Sequence, residues 1–282
     1  MRRAHAAASL DGMKHPVPAA AERPAGEANR LNLLSCNILA GGSVRRYRDY
    51  VTHSWKHVLP TGKRANLDVL ARVIGEFDLV GLQEADAGSL RSGFLNQTQY
   101  LAEAAAFPFW SHQPNRRVSR LATSSNGLLA RMQPDEVLDY PLPGRIPGRG
   151  ALWARFGEGD QSLIVVIAHL SLGPAARMRQ LGFIAELLGH HPNVVLMGDL
   201  NTPPASAELK MLYERTALEP AHESPATFPS WRPTRAIDHI LVSGAIEVER
   251  RWALSHPVSD HLPVAASILL PAAMGSTAKV SG

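Results

Sequence analysis

Cysteine is nearly absent from this sequence: Cys36 stands alone among 282 residues. A single thiol has no internal partner, so no disulfide staples the chain, and its plain reading is a small buried apolar residue. Long apolar runs are missing too. No stretch approaches the roughly 20 apolar residues of a membrane-spanning helix. The basic start Met1-Arg2-Arg3-Ala4-His5 is not followed by an apolar segment of signal-peptide length. These absences set the expectation of a cytoplasmic monomer with no integral membrane segment. Lysine is scarce: 24 of the 29 basic residues are Arg and five are Lys. Arg suits bidentate phosphate contacts, but a GC-rich genome gives the same bias. The net charge of +4 is no guide either, since the first thirty residues hold five basic groups against three acidic ones and supply half of it.

What is present is ample apolar material, 45% of the residues, enough for one large core and far above a disordered composition. Residues 1–28 are rich in Ala, Pro and Glu without periodicity and read as a flexible tail, and 271–282 as a second one. Between them, 29–270 reads as one α/β domain. Strands are predicted over Leu31–Leu39, Asp78–Gln83, Ser162–Leu170, Asn193–Gly198, Ile237–Val242 and Val264–Leu270. Helical spacing predicts helices over Asn66–Phe77, Gln99–Ala106 and Ser206–Arg215, and another marked by Met178, Leu181, Ile184 and Leu188 that stops near Gly189. Strands joined by loops as often as by helices favour two packed sheets over one doubly wound sheet.

The polar residues worth notice end the apolar runs. In Val194-Val195-Leu196-Met197-Gly198-Asp199-Leu200-Asn201, a buried strand runs into an acid, and if it stayed extended Asp199 and Asn201 would share a side. Such oxygen atoms hold a metal or a water; an Asx turn explains them as well. Glu84 ends Leu79-Val80-Gly81-Leu82-Gln83, Asn37 sits at about the same depth of the first strand, and His169 ends Ile164-Val165-Val166-Ile167-Ala168. Ile237-Asp238-His239-Ile240 and Ser259-Asp260-His261 add two Asp-His pairs. Each has an ordinary explanation as a solvated carboxylate, a turn former or a hydrogen-bonded core histidine. Together, at the ends of different strands, they describe a site.

With Asn126-Gly127-Leu128-Leu129 and Arg149-Gly150, these segments resemble, in order and from Leu31 to about Leu270, the motifs of the endonuclease/exonuclease/phosphatase superfamily. The resemblance implies a four-layer sandwich of two mixed, mostly antiparallel sheets packed face to face and flanked by helices, with the site at one end. It implies a divalent-metal-dependent phosphoesterase, with magnesium or manganese as cofactor. Glu84, Asn37 and Asp260 are the implied metal ligands. Asp199, helped by Asn201, would orient or deprotonate the attacking water. His261 would act as general base or contact the phosphate, with Asp238 fixing its tautomer. His169 would donate to a phosphate oxygen. Asn126 would fix loops or reach the phosphate, Arg149 would clamp it or form a salt bridge, and His239 reads as structural.

The expected substrate is a phosphodiester, nucleic acid first and a phospholipid or sphingomyelin-type headgroup second. A rival of another class is an inactive relative serving as a binding module. The retained Glu84, Asp199-x-Asn201 and His261 speak against it. Neither a basic or aromatic insertion for a nucleic acid strand nor an apolar hairpin for a bilayer stands out. Arg45-Arg46-Tyr47-Arg48 could line the entrance or be a solvated loop, and Phe107-Pro108-Phe109-Trp110 reads as core.

Overall fold

The computed structural model describes residues 3–4, 8–9, 29–39, 63–88, 94–118, 122–144, 148–255 and 258–274. In chain order its elements begin β1 (Arg3–Ala4), β2 (Ala8–Ser9), β3 (Arg30–Asn37), α1 (Lys63–Ile74), β4 (Leu79–Asp86), α2 (Gln97–Ala104), β5 (Phe109–Val118) and β6 (Ala122–Ala130). They continue β7 (Glu136–Pro141), β8 (Gly150–Phe156), β9 (Leu163–His169), α3 (Pro174–Leu188), β10 (Val194–Asp199), α4 (Ala207–Arg215), β11 (Asp238–Val242), β12 (Glu247–Ala253) and β13 (Val264–Leu269).

The strands form a six-stranded sheet, β1-β7-β8-β9-β10-β11, and a seven-stranded sheet, β12-β13-β3-β4-β6-β5-β2. Each is antiparallel except for one parallel pair, β9–β10 in the first and β3–β4 in the second. Side-chain alternation explains the layers. Val165 and Ile167 of β9 and Val195 and Met197 of β10 point inward and meet Leu31, Leu33, Leu79 and Leu128 of the other sheet. Their neighbours Ile164, Val166, Val194 and Leu196 point outward and pack on Leu181, Ile184 and Leu188 of α3 and Leu209 and Leu212 of α4. On the opposite flank, Leu34, Cys36, Val80 and Leu82 pack under Leu67, Leu70 and Ile74 of α1 and Leu101 of α2. Strands apolar on both faces are what a middle layer covered on both sides requires. The four-layer sandwich is the fold expected from the sequence.

Several details differ. The helix β9 leads into buries Arg177, Gln180, Leu181, Ile184, Ala185 and Leu188, whereas Met178 stays exposed, so Met178 marks the wrong face. Strands β5 to β8 and β12 were not predicted. Segment 1–28 lies mostly outside the described residues, but within it Arg3–Ala4 pairs with β7 and Ala8–Ser9 with β5. Beyond residue 270, Ala272–Met274 forms a 3-10 turn that buries Met274 in the core between the sheets. The Arg45-Arg46-Tyr47-Arg48 cluster lies outside the described residues.

Topology then positions the site. Each parallel pair is joined by a helical crossover, so its two strands finish at the same end of the sandwich. Asn37 and Glu84 arrive there on β3 and β4, His169 and Asp199 on β9 and β10. The antiparallel neighbour β11 starts there, with Asp238 opposite Asp199. The loop 258–262 enters there just before β13, whose Val264 pairs with Ser35.

Candidate active site

Asp199 is the hub. It is buried, and His169 and Asp238 are its direct cross-strand neighbours. Gly198 lets β10 come this close: at φ 150° a Cβ there would lie 1.8 Å from the Ala168 carbonyl oxygen, so only glycine fits. One carboxylate oxygen, Oδ2, accepts from Asn37 Nδ2 at 3.2 Å. It also lies 3.4 Å from His169 Nε2 and 3.8 Å from His261 Nε2. The other, Oδ1, accepts the Asn201 backbone N–H at 3.1 Å.

That last bond decides between the two sequence readings of Asp199 and Asn201. The strand ends at Asp199 and Asn201 turns left-handed, φ 52°. The pair forms an Asx turn instead of sharing one face of a continuing strand. The Asn201 side chain reaches back and donates to the Leu170 carbonyl at 3.0 Å, tying the His169 strand to the Asp199 loop.

His261 is oriented from behind. Its Nδ1 lies 2.9 and 3.1 Å from the two oxygens of Asp238, which keeps a proton on Nδ1 and turns Nε2 toward Asp199. Asp238 also accepts from the Thr227 hydroxyl. Ser259 secures the loop: its hydroxyl donates to the Asn37 carbonyl at 2.5 Å and accepts the His261 backbone N–H at 3.0 Å. Burial alone would depress His261, but the hydrogen bond and charge of Asp238, with Asp199 and Asp260, outweigh it and raise its pKa to about 9. His169 goes the other way. Burial, then the charges of Arg149 and His261, hold it well below the ordinary histidine range, so it is neutral. Burial and the nearby Asp238 push Asp199 up to about 7, against the pull of His261, Asn37 and the Asn201 N–H.

Glu84 follows the last residue of β4 that pairs with β3, its side chain 28% exposed. The β4–β6 ladder slips between Leu82 and Ala85, and Glu84 sits in that irregularity at φ 58°. A bulge of this kind re-aims a side chain. Here the carboxylate lies 3.9 Å from His169 Nε2. Burial and the charge of Asp260 raise its pKa, while Arg149, His261 and a hydrogen bond from Asn37 oppose the rise. A second carboxylate beside Glu84 at a partly open mouth gives a pair of hard oxygen donors that fits a divalent cation. Asp199, Asp238 and His261 also bring one ligand atom each within 4.8 Å. Asp238 of that trio is already engaged by His261, whereas Glu84 is 28% exposed, with Asp260 close enough to raise its pKa.

The structure therefore brings Asn37, Glu84, Arg149, His169, Asp199, Asn201, Asp238, Asp260 and His261 together. Asn126 stands apart. It is fully buried, and its Nδ2 donates to the Gly150 carbonyl at 2.8 Å, with Gln113 Oε1 at 3.2 Å. Of its two expected uses, fixing a loop and reaching the phosphate, these bonds match the first, at the residue after Arg149. His239 is buried, and burial lowers its pKa; its Nε2 donates to the Thr202 carbonyl at 2.8 Å. Two residues escaped the sequence reading. Thr227 anchors Asp238, and the Phe228 ring packs at 4.9 Å from the His261 ring with Arg235 at 5.5 Å above it. They lie in a loop without periodicity, and only their nearness to Asp238 in sequence could have drawn attention.

The sequence profile of the Endonuclease/Exonuclease/phosphatase family matches residues 34–261, and the chain belongs to that family. Its members are metal-dependent phosphoric ester hydrolases, and this chain is an enzyme of that class. Among curated proteins none matches the sequence significantly. Similar solved structures include a mannosyl-6-phosphatase of Bacteroides thetaiotaomicron, 19% identical with TM-score 0.63, covering 85% of this chain and 100% of that one. TDP2 of D. rerio, complexed with a single-strand DNA product, is 15% identical with TM-score 0.60, over 85% and 98% of the two chains. Sphingomyelinase C of Streptomyces griseocarneus is 18% identical with TM-score 0.58, over 84% and 99%. At these identities the likeness is one of fold. No helix among the described residues is long and apolar enough to cross a membrane.

Proposed function

We propose that the protein is a divalent-metal-dependent phosphodiesterase acting on nucleic acid. The observation that carries the chemistry is the line Asp238–His261–Asp199, which holds a cation and a poised carboxylate on either side of one gap. Glu84 and Asp260, with Asn37 beside them, would hold a magnesium or manganese ion, whose charge offsets that of the phosphate. Asp199, raised to about 7, takes the proton of the attacking water, oriented with help from Asn201. The water oxygen bonds to phosphorus, the ester P–O bond breaks, and solvent protonates the departing oxygen. His261, cationic at neutral pH, donates from Nε2 to a phosphoryl oxygen, and Asp238 keeps it charged and aligned. His169 donates to the same developing charge without adding a positive one. Arg149, positioned through Asn126, clamps the phosphate.

The nucleic-acid reading is supported by the loop beside His261. Phe228 and Trp231 are partly exposed there, and Arg232 and Arg235 are exposed. Aromatic rings that stack bases and guanidinium groups that pair phosphates suit a single strand. The second reading, a phospholipid headgroup, is favoured by Leu172, 74% exposed three residues beyond His169.

A panel of plasmid, single-stranded DNA, RNA, lysophospholipid and sphingomyelin, with magnesium at two salt concentrations, separates them. Cleavage of nucleic acid that fades with salt is expected, because each phosphate contact releases counterions. Cleavage of lipid with DNA untouched overturns the substrate, and full activity in chelated protein overturns the mechanism.

A further inference from the structure

The turn that follows His169 is held by side chains that the chemistry above does not use. Leu170 N–H donates to the Asp199 carbonyl at 3.0 Å, and its own carbonyl accepts from Asn201. Ser171 N–H donates to Gln180 Oε1 at 2.9 Å, and the Ser171 hydroxyl accepts from Gln180 Nε2 at 3.0 Å. The Leu172 carbonyl accepts from Arg177 Nη1. Arg177 in turn grips Glu208 of α4 through Nε at 3.1 Å and Nη2 at 2.8 Å. Gln180, Arg177 and Glu208 are all buried, while Leu172, Gly173 and Pro174 are exposed.

Exposed turns are ordinarily the mobile parts of a fold. This one has its polar groups tied, residue after residue, to buried side chains of two helices. A buried ion pair is a poor source of net stability, since apolar residues of similar volume usually serve as well. The pair does fix geometry. Glu208 lies in the first turn of α4, whose N-cap Ser206 follows the Asp199–Asn201 loop by a few residues. The connection is a closed ring: His169, its turn, α3, α4, the loop back to Asn201 and Asp199, and the 3.4 Å contact between Asp199 and His169.

We infer that Arg177, Gln180 and Glu208 are positioning residues that set His169 against Asp199 and the phosphate. The role rests on the phosphoesterase reading, and it predicts an effect that travels through His169 alone. The test uses R177M/E208L, which removes both charges together, and separately Q180L, each in the wild-type protein and in H169Q, on bis(p-nitrophenyl) phosphate. In the wild-type background kcat falls roughly ten- to a hundredfold, as a misplacement of about an ångström costs, with KM changing less. In H169Q the same substitutions change kcat by less than about twofold, the non-additivity of residues acting as one unit. The imidazole NMR signals of His169, assigned by their loss in H169Q, broaden or double in R177M/E208L and in Q180L. Equal losses in both backgrounds, or full kcat with unchanged imidazole signals and only a lower Tm, overturn the inference. Should R177M/E208L not fold, Q180L decides by the same measurements. A wild-type protein that hydrolyses no phosphoester defeats the phosphoesterase reading, while the His169 signals still report whether the clamp positions the ring.

Discussion

The seven-stranded sheet delivers Asn37 and Glu84 on the ends of a parallel pair, and the six-stranded sheet delivers His169 and Asp199 on the ends of another. The two halves share a construction but differ in finish. On the Asp199 side the carboxylates are buried and engaged by protein donors: Asn37, the Asn201 N–H, Thr227 and His261. On the Glu84 side the carboxylate is 28% exposed, strained into a left-handed conformation, and pushed upward by burial and Asp260. A network complete within the protein is set for moving a proton. The carboxylates at the partly open mouth offer the hard oxygen atoms that a divalent cation prefers.

The largest effect should separate these halves. Glu84→Gln is expected to lower turnover by two orders of magnitude or more, roughly the scale of a lost electrostatic stabiliser, and to weaken magnesium or manganese binding in calorimetry. Asp199→Asn and His261→Ala should lower turnover on a similar scale while leaving cation affinity within a few-fold. Loss of cation binding in D199N and not in E84Q would reverse the assignment of the two sides.

A smaller effect concerns protons. Asp199 must lose its proton to act and His261 must keep its own, so kcat/KM should rise with pH near 7 and fall near 9. Asp238→Asn removes the carboxylate that favours the imidazolium, so the His261 pKa falls and the alkaline limb moves to lower pH by roughly one unit or more. A limb that stays in place would show that Asp238 does not govern His261.

Several pieces of this contrast are visible in the sequence, others are not. Asn37, Glu84, His169 and Asp199 stand out because a polar residue closing a run buried on both faces has few other reasons to be there. The crossover strands β3, β4, β9 and β10 are legible for the same reason. The strands β5 to β8 and β12 are not: Phe109–Val118 and Glu247–Ala253 carry charged and polar residues at the edges of the sheet, where alternation is weak. Met178 misleads because an apolar residue at helical spacing can still face solvent. The bulge that re-aims Glu84 and the Asx turn at Asn201 depend on backbone geometry that strand periodicity does not encode. Phe228 acquires meaning only once the fold sets it against His261.

The smallest effect addresses both halves at once. Deleting residues 1–28 removes β1 from one sheet and β2 from the other, two residues each. Such short outer pairings contribute little, so the Tm should drop by no more than about a few degrees and hydrolysis of a small phosphodiester should persist. A loss of cation binding without a loss of Tm would break the symmetry between the halves.

Strand β3, which opens the described domain, lies between β4 and β13, with Arg30 opposite Leu269. One edge of this early strand is therefore covered by β4 and the other only by the last strand of the sheet. His261 and Asp260 reach the site on the segment that leads into β13, and Ser259 locks onto Asn37 only when that strand docks. A chain cut before residue 258 would lack that imidazole, that second carboxylate and the strand that closes the second sheet. Every other member of the candidate site lies at or before Asp238, so its last two members arrive with the strand that closes the second sheet.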